Sequence, residues 1–170
     1  ASRGLGDVYK RQKYNYAMTR LLPKVIDNNY QGPKIALYFF IIFMIVNTWR
    51  SFVHFLAEDA GINSIANIIT FEGNPDPDNL IYLFGSLWGE MQVLLCLISW
   101  IVIFRYKAFM PFFYLIWLLE WILRVGVVGK IHPLEPIYQN GITPGQEYAW
   151  IVLVLLSLFF MISLFKVKTK

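Results

Sequence analysis

The chain has 170 residues, of which 57% are hydrophobic and only 15% are charged. A soluble domain of this size cannot bury so much apolar surface, so the composition excludes a water-soluble globular protein and predicts an integral membrane protein in contact with the lipid bilayer. The formal net charge is +4, but no basic cluster with interleaved aromatic residues accompanies it, which excludes nucleic acid as a partner.

The first residues differ from the rest of the chain. Residues 2–12, SRGLGDVYKRQ, resemble the translated adapter sequence that is often left at the ends of metagenomic assemblies. We therefore interpret residues 1–12 as a sequencing artefact and exclude them from the fold. Their removal takes away three positive charges and one negative charge, which lowers the net charge from +4 to +2. Residues 13–33 are then interpreted as a cytoplasmic N-terminal segment.

Four apolar stretches follow along the chain. They predict membrane spans at about 35–56, 80–104, 108–128 and 148–165. A helix needs about 20 apolar residues to cross about 30 Å of hydrocarbon, and all four stretches meet this requirement. Residues 34–170 are therefore predicted to form one all-α domain, an integral membrane four-helix bundle with a long outer loop between helices 1 and 2.

Basic residues predict the orientation of the bundle. They precede the first span, link the second span to the third, and follow the fourth: Lys13, Arg20, Lys24 and Lys34, then Arg105 and Lys107, then Lys166, Lys168 and Lys170. Positive charge marks the cytoplasmic side of a membrane protein. Both termini are therefore predicted to be cytoplasmic, in a multi-pass protein of the bacterial cytoplasmic (inner) membrane.

The long outer loop contains an apolar stretch of its own. Residues 61–71, GINSIANIITF, have apolar side chains at positions 62, 65, 66, 68 and 69, which is a helical spacing. Two interpretations stay open. The stretch lies in the membrane interface or dips over the mouth of the bundle, or it is an ordinary loop that packs on the helices.

Four ionisable side chains lie inside the predicted spans: Arg50, Glu90, Glu120 and Arg124. Each costs about 3 kcal/mol if it faces lipid, so we expect all four to face inward and to pair. The order of Glu120 and Arg124, four residues apart, favours one pair. The simplest second pair joins Arg50 to Glu90, and both pairs fall in the outer half of the bundle.

Neighbouring residues extend this polar layer. Asn47, Arg50 and His54 share one face of the first helix, and His54 would be a titratable group at the mouth of the bundle. Small residues on the second helix, Gly85, Ser86 and Gly89, predict close packing against another helix.

Several functions are compatible with such a layer. It could bind a small ligand or a partner helix, or it could only fix the helix register; a small transporter would need a homo-oligomer to enclose a path. No ionisable group lies in the inner half of any span, which disfavours a pump or cation channel. We predict no catalytic residues and no metal site, because His54 and His132 supply too few ligands and haem ligation by the loop residue His132 would be unusual.

One stretch resembles a known family. Residues 85–126, GSLWGEMQVLLCLISWIVIFRYKAFMPFFYLIWLLEWILRVG, are similar to DoxX-like small bacterial membrane proteins. By that resemblance Glu90, Arg105 and Arg124 would be the corresponding positions, whereas Glu120 is not part of the pattern. The resemblance implies four helices and a link to quinone-coupled redox complexes. It therefore adds a further hypothesis, an accessory subunit of a quinone-linked membrane oxidoreductase with quinone as the cofactor.

Overall fold

The computed structural model describes residues 18–167, in which four long helices dominate. We label them α1 (Lys34–Leu56), α2 (Asp78–Arg105), α3 (Met110–Leu123) and α4 (Ala149–Ser163). A 3-10 turn, Lys107–Phe109, leads into α3, and a π-helical segment, Arg124–Val128, and the short helix Gly129–Ile131 continue it. A second 3-10 turn, Pro136–Tyr138, and the short helix Pro144–Glu147 precede α4. The adapter-like residues 2–12 lie outside the described residues.

The described residues are helical, as predicted, and three helical stretches are long and apolar enough to cross a membrane. They are Lys34–Leu56, Asp78–Arg105 and Lys107–Ile131. The fourth predicted span corresponds to α4, which has 15 residues. At 1.5 Å per residue it is about 22 Å long, shorter than the hydrocarbon core.

The helices alternate in direction, and each buries one stripe of its surface. Along α1 the buried positions are Ala36, Phe40, Phe43, Met44, Asn47, Ser51 and His54. This three- and four-residue spacing is that of a helix with one face in a core. The opposite faces carry large exposed apolar side chains, such as Ile42 and Leu97, which is the surface expected against lipid.

We call one end of the bundle the terminal end. There α1 begins after the N-terminal segment, and α4 ends before the C-terminal segment. The core of the terminal end is aromatic: Phe39 stacks on Phe159 with ring centroids 4.0 Å apart, and Phe40 lies 4.7 Å from Tyr114. The Tyr114 hydroxyl donates to the Ala36 carbonyl at 2.6 Å. These contacts fasten α1 to α3 and α4.

We call the opposite end, where loops 57–77 and 132–143 lie, the long-loop end. The two loops bond to each other: the Ile69 N–H donates to the Tyr138 carbonyl at 3.1 Å, and the Asn140 N–H donates to the Asn67 carbonyl at 2.7 Å. Residues 61–66 form turns rather than a helix. The loop packs on the protein, since Ile62 lies against Gly85 of α2 and Ile68 bridges to Gln139 of the second loop. Its position relative to a membrane interface stays a prediction.

Candidate polar binding site

Two glycines on α2 allow α1 and its following loop to come unusually close. A Cβ atom at Gly89 would lie 2.5 Å from the backbone of His54 and Phe55, and one at Gly85 would lie 3.0 Å from the Cβ of Ala60. No larger residue fits at Gly89 without moving α1. The predicted packing role of the two glycines agrees with these contacts, and Ser86 lies half-buried beside them.

This close contact sets the rotation of α2 and decides which polar side chains face inward. Gln92, three residues after Gly89, is buried, whereas Glu90 is exposed. The predicted pairing of Arg50 with Glu90 is therefore wrong: Glu90 follows the buried Gly89 by one residue, about 100° around the helix, and points away from α1. The position of Glu90 along α2 could be predicted from the sequence, but the direction in which its side chain points could not.

Gln92 occupies the place predicted for Glu90 and joins three helices into one polar network. Arg50 Nη2 on α1 donates to Gln92 Oε1 at 3.2 Å, and Gln92 Nε2 donates to Glu120 Oε1 on α3 at 3.1 Å. The same Glu120 oxygen pairs with Arg124 Nη2. The predicted Glu120–Arg124 pair is confirmed, and Arg50 reaches it through a neutral amide.

Trp88 lies at the centre of the cations. The guanidinium groups of Arg50 and Arg124 lie 5.1 Å and 4.8 Å from its ring centroid. Arg124 also lies 5.1 Å from the Trp121 ring. Arginine over an aromatic face is stabilised by the ring quadrupole, most strongly where water is excluded. We call Arg50, Trp88, Gln92, Glu120, Trp121 and Arg124 the polar cluster.

His54 connects this cluster to the long loop. Its ring lies 4.8 Å from the Trp88 ring in an edge arrangement, and its Nδ1 is 2.7 Å from the Ala60 carbonyl, to which Nδ1–H donates. Gly61 next to it has a φ of +66°, and a Cβ there would lie 2.9 Å from the same nitrogen. The loop can therefore fold onto the ring only with glycine at this position.

Asn47 shares the face of Arg50 and His54, as predicted, but it stays within its own helix. It is buried, and its amide donates to the Phe43 carbonyl at 2.8 Å. The hydroxyl of Ser51 in turn donates to the Asn47 carbonyl at 2.6 Å. Asn47 thus lies about one helical turn before Arg50, beside the polar cluster, and its amide is used within α1.

Hydrogen bonding in the cluster is incomplete. Within residues 18–167, four of its buried polar atoms have no hydrogen-bond partner: Arg50 Nε, Glu120 Oε2, Trp121 Nε1 and Arg124 Nε. Burying a polar group without a partner costs about 1–3 kcal/mol. With both arginines and Glu120 ionised, the cluster also carries one excess positive charge. The cluster thus has hydrogen-bond donors without an acceptor and a positive charge without a counter-ion among the described side chains.

A cavity of about 460 Å³ adjoins the cluster between the end of α3 and the start of α4. It is lined by Arg124, Val125, Val128, Gly129, Lys130, His132, Leu134, Gly145, Gln146, Ala149 and Trp150. Ligand sites typically have volumes of roughly 300–1,000 Å³ with mostly apolar walls and a few polar groups. The lining also includes donors (Arg124, Lys130) and the Trp150 ring, groups that could contact the carbonyl oxygens and the ring of a quinone.

The two histidines lie in different surroundings. His54 is buried and bonded to the Ala60 carbonyl, whereas His132 is exposed on the loop after α3. Among the described residues, no group of three or more His, Cys, Asp or Glu side chains has a geometry that would hold a metal ion. Sequence reasoning missed Gln92 and the cavity. The spacing of Gly85, Gly89 and Gln92, all on one helix face, is the signal that could have found Gln92.

Comparison of the chain with protein-family models, with curated proteins and with solved structures found no match. Fold and site together define an all-helical chain with three helices of membrane-spanning length and a buried polar cluster beside a cavity.

Proposed function

We propose that this protein is a four-span protein of the bacterial cytoplasmic membrane, with both termini inside, that binds a small amphipathic ligand at the polar cluster. In this proposal α4 completes the bundle as the fourth span, and the long-loop end faces outward. The distribution of basic residues and the resemblance to DoxX-like proteins support this orientation and architecture. The proposal assigns no catalytic role to any residue.

One observation carries the proposal: Arg124, whose buried Nε has no hydrogen-bond partner within residues 18–167, is also a wall residue of the cavity. A protein interior normally satisfies its polar groups, so each exception needs an explanation, and a bound molecule that supplies the partner is one. Arg124 is held by Glu120 through one nitrogen and keeps its Nε free. A ligand oxygen in the cavity would accept from this side chain.

The remaining residues of the cluster would position the two arginines. Glu120 fixes Arg124, and Gln92 fixes Arg50 while it bonds to Glu120. Because these side chains belong to three helices, ligand binding would also tie the helices together. His54 would couple the site to the long loop through the Ala60 carbonyl.

A second candidate function is purely structural. The network joins α1, α2 and α3, and a buried polar network can serve only to fix helix register. On this account an apolar replacement of the paired charges leaves function intact.

A thermal-unfolding experiment separates the two. Delipidated protein in mild detergent is compared with the double variant Glu120→Met/Arg124→Met, each with and without added bacterial polar-lipid extract. Because a ligand that binds only the folded state raises its stability, we expect the extract to raise the midpoint for the wild type and for the control Glu90→Gln more than for the double variant. Equal shifts for all three proteins would contradict ligand binding and support the structural role.

A further inference from the structure

The charged residues that line the cavity are basic. Among residues 18–167, Arg124 and Lys130 lie on its wall beside His132, and no aspartate or glutamate does. Lys130 and His132 are exposed residues that follow α3 at the long-loop end. A cavity with two cations in its wall concentrates field lines and favours a ligand of opposite charge.

The negative charge nearest to Arg124 is already shared. Glu120 Oε1 accepts hydrogen bonds from both Gln92 and Arg124, and Arg50 reaches the same carboxylate through Gln92. One carboxylate therefore serves two guanidinium groups. A second anion beside the Arg124 guanidinium, which lines the cavity, would restore the balance.

The remaining walls are apolar. Val125 and Val128 come from the π-helical segment after α3, Leu134 comes from the loop that follows, and Ala149 and Trp150 come from the start of α4. A volume of about 460 Å³ is small for a ligand with two acyl chains inside it, but it suits a headgroup and part of one chain.

We infer that the ligand is an anionic amphiphile with one apolar chain, whose carboxylate or phosphate is bound by Arg124, Lys130 and His132 and whose chain packs on Val125, Val128 and Trp150. This inference rests on the proposed function and names its ligand class. A guanidinium recognises a carboxylate or a phosphate through paired hydrogen bonds, whereas a neutral carbonyl uses only part of that capacity.

Binding of a matched pair of probes tests the inference. The full chain is reconstituted in phosphatidylcholine nanodiscs and titrated with dansyl-labelled undecanoic acid or with its methyl ester, with tryptophan-to-dansyl energy transfer as the readout. We expect the acid to bind about tenfold or more tightly than the ester, because the ester lacks the charge but keeps the chain. Equal affinities for the acid and the ester would contradict an anionic ligand but would still support a binding site. No saturable binding of either probe would overturn the inference together with the proposed function.

Two substitutions localise the effect. Arg124→Gln should abolish the preference for the acid, but it also breaks the Glu120 pair and alters folding. Lys130→Gln changes only an exposed side chain, and we expect it to weaken acid binding by about fivefold and to leave ester binding unchanged. Lys24→Gln, an equal change of charge at an exposed residue of the N-terminal segment, is the control and should change neither. If Lys130→Gln changes acid binding no more than Lys24→Gln does, the anionic group of the ligand does not lie beside Lys130 and the inference is wrong.

The same measurement distinguishes the source of the anion. Nanodiscs that contain phosphatidylglycerol provide an anionic headgroup from the bilayer itself. Competition by this lipid would identify the membrane as the source of the ligand. Undiminished binding of the acid would identify a free single-chain acid.

Discussion

The two halves of the bundle satisfy their polar groups differently. Towards the terminal end, Trp117 Nε1 donates to the Ser99 hydroxyl at 3.0 Å and Trp100 Nε1 donates to the Thr48 hydroxyl at 2.9 Å. Towards the long-loop end, Trp121 Nε1 and three further atoms of the cluster lack a partner within residues 18–167. Two further unpartnered atoms, Arg20 Nε and the Tyr30 hydroxyl, lie at the terminal end, but in the N-terminal segment rather than in the four helices. Among the helices of the described protein, the first half therefore pairs its buried polar side chains, whereas the second half keeps unpartnered donors and an excess positive charge. Changes in the first should therefore affect stability alone, and changes in the second should affect stability and binding together.

The largest loss of stability is expected in the half towards the terminal end. Trp117 is fully buried and packs edge-on against Phe43. Trp117→Ala removes this packing and leaves a cavity, so we expect the free energy of unfolding to fall by about 3–5 kcal/mol. Trp49→Ala, at a position that is 62% exposed, should cost far less. Denaturant unfolding in detergent measures both, and equal losses would contradict the packing of this core.

Two glutamates sharpen the contrast between a side chain inside the network and one outside it. Glu120→Leu leaves the partly buried Arg124 without its ion-pair partner, so we expect a loss of about 1–3 kcal/mol. Glu90→Leu removes a charge from an exposed face in the middle of α2, so we expect unchanged or higher stability in a bilayer. Unfolding midpoints in nanodiscs provide the comparison. A loss at Glu90 as large as that at Glu120 would show that Glu90 has a partner of its own, such as another membrane helix or a second copy of this chain.

A pair of glycines tests the close approach of α1 and α2. Gly89→Ala places a methyl group against the backbone of α1, and we expect a loss of about 1–3 kcal/mol. At Gly126 a Cβ would have no neighbour within 4 Å, so Gly126→Ala should be close to neutral. Thermal unfolding of the two variants beside the wild type measures the difference. If both alanines are tolerated equally, the backbone contact at Gly89 is not as close as described.

The smallest effect is expected in the long loop and depends on pH. Partial burial raises the pKa of the Asp59 carboxyl, but hydrogen bonds from the backbone N–H groups of Ser64, Gly61 and Asn63 outweigh it and hold the pKa below its usual value. A lowered pKa stabilises the loop above the ordinary pKa, and this contribution is lost as the pH falls through the folded-state value. Because Asp59 is only partly buried and its hydrogen bonds stay within residues 59–64, the effect is local.

Hydrogen exchange detects this local change. Asp59→Asn at neutral pH should lower the protection factors of the backbone amides at 61–64, and acidification of the wild type below about pH 4 should do the same. Glu72→Gln, at an exposed position of the same loop, is the control. Unchanged protection in Asp59→Asn would contradict the role of this carboxylate.

The sequence predicted those parts of the site that carry a signal along one helix. Glu120 and Arg124 were found because their spacing permits a pair, and Gly85 and Gly89 because small residues at that spacing permit close packing. Gln92 was missed because a neutral amide costs much less free energy in lipid than a charge does, so its presence in a span does not by itself indicate an inward-facing partner. Glu90 was misplaced because hydrophobicity gives the depth of a residue but not the direction of its side chain.

Contacts between distant segments were out of reach for the same reason. The bridge between Ile68 and Gln139 and the bond from His54 to Ala60 depend on how loops meet after the helices have packed. The apolar spacing at 62–69 resembled a helix, but Ile62 packs on Gly85 of α2 and the backbone of 67–69 bonds to the second loop. The three helices of membrane-spanning length were predicted because their length and composition are properties of the sequence itself; the fourth helix is shorter than its apolar stretch.

Native mass spectrometry tests the central claim most directly. Protein extracted in mild detergent, without residues 1–12, is compared with Glu120→Met/Arg124→Met under identical conditions. We predict a bound mass on the wild type that the double variant lacks; the mass would also separate a quinone from an acid or a phospholipid and report the number of chains. A wild type that carries no mass beyond its own, or a mass retained equally by the double variant, would contradict a ligand site at the polar cluster.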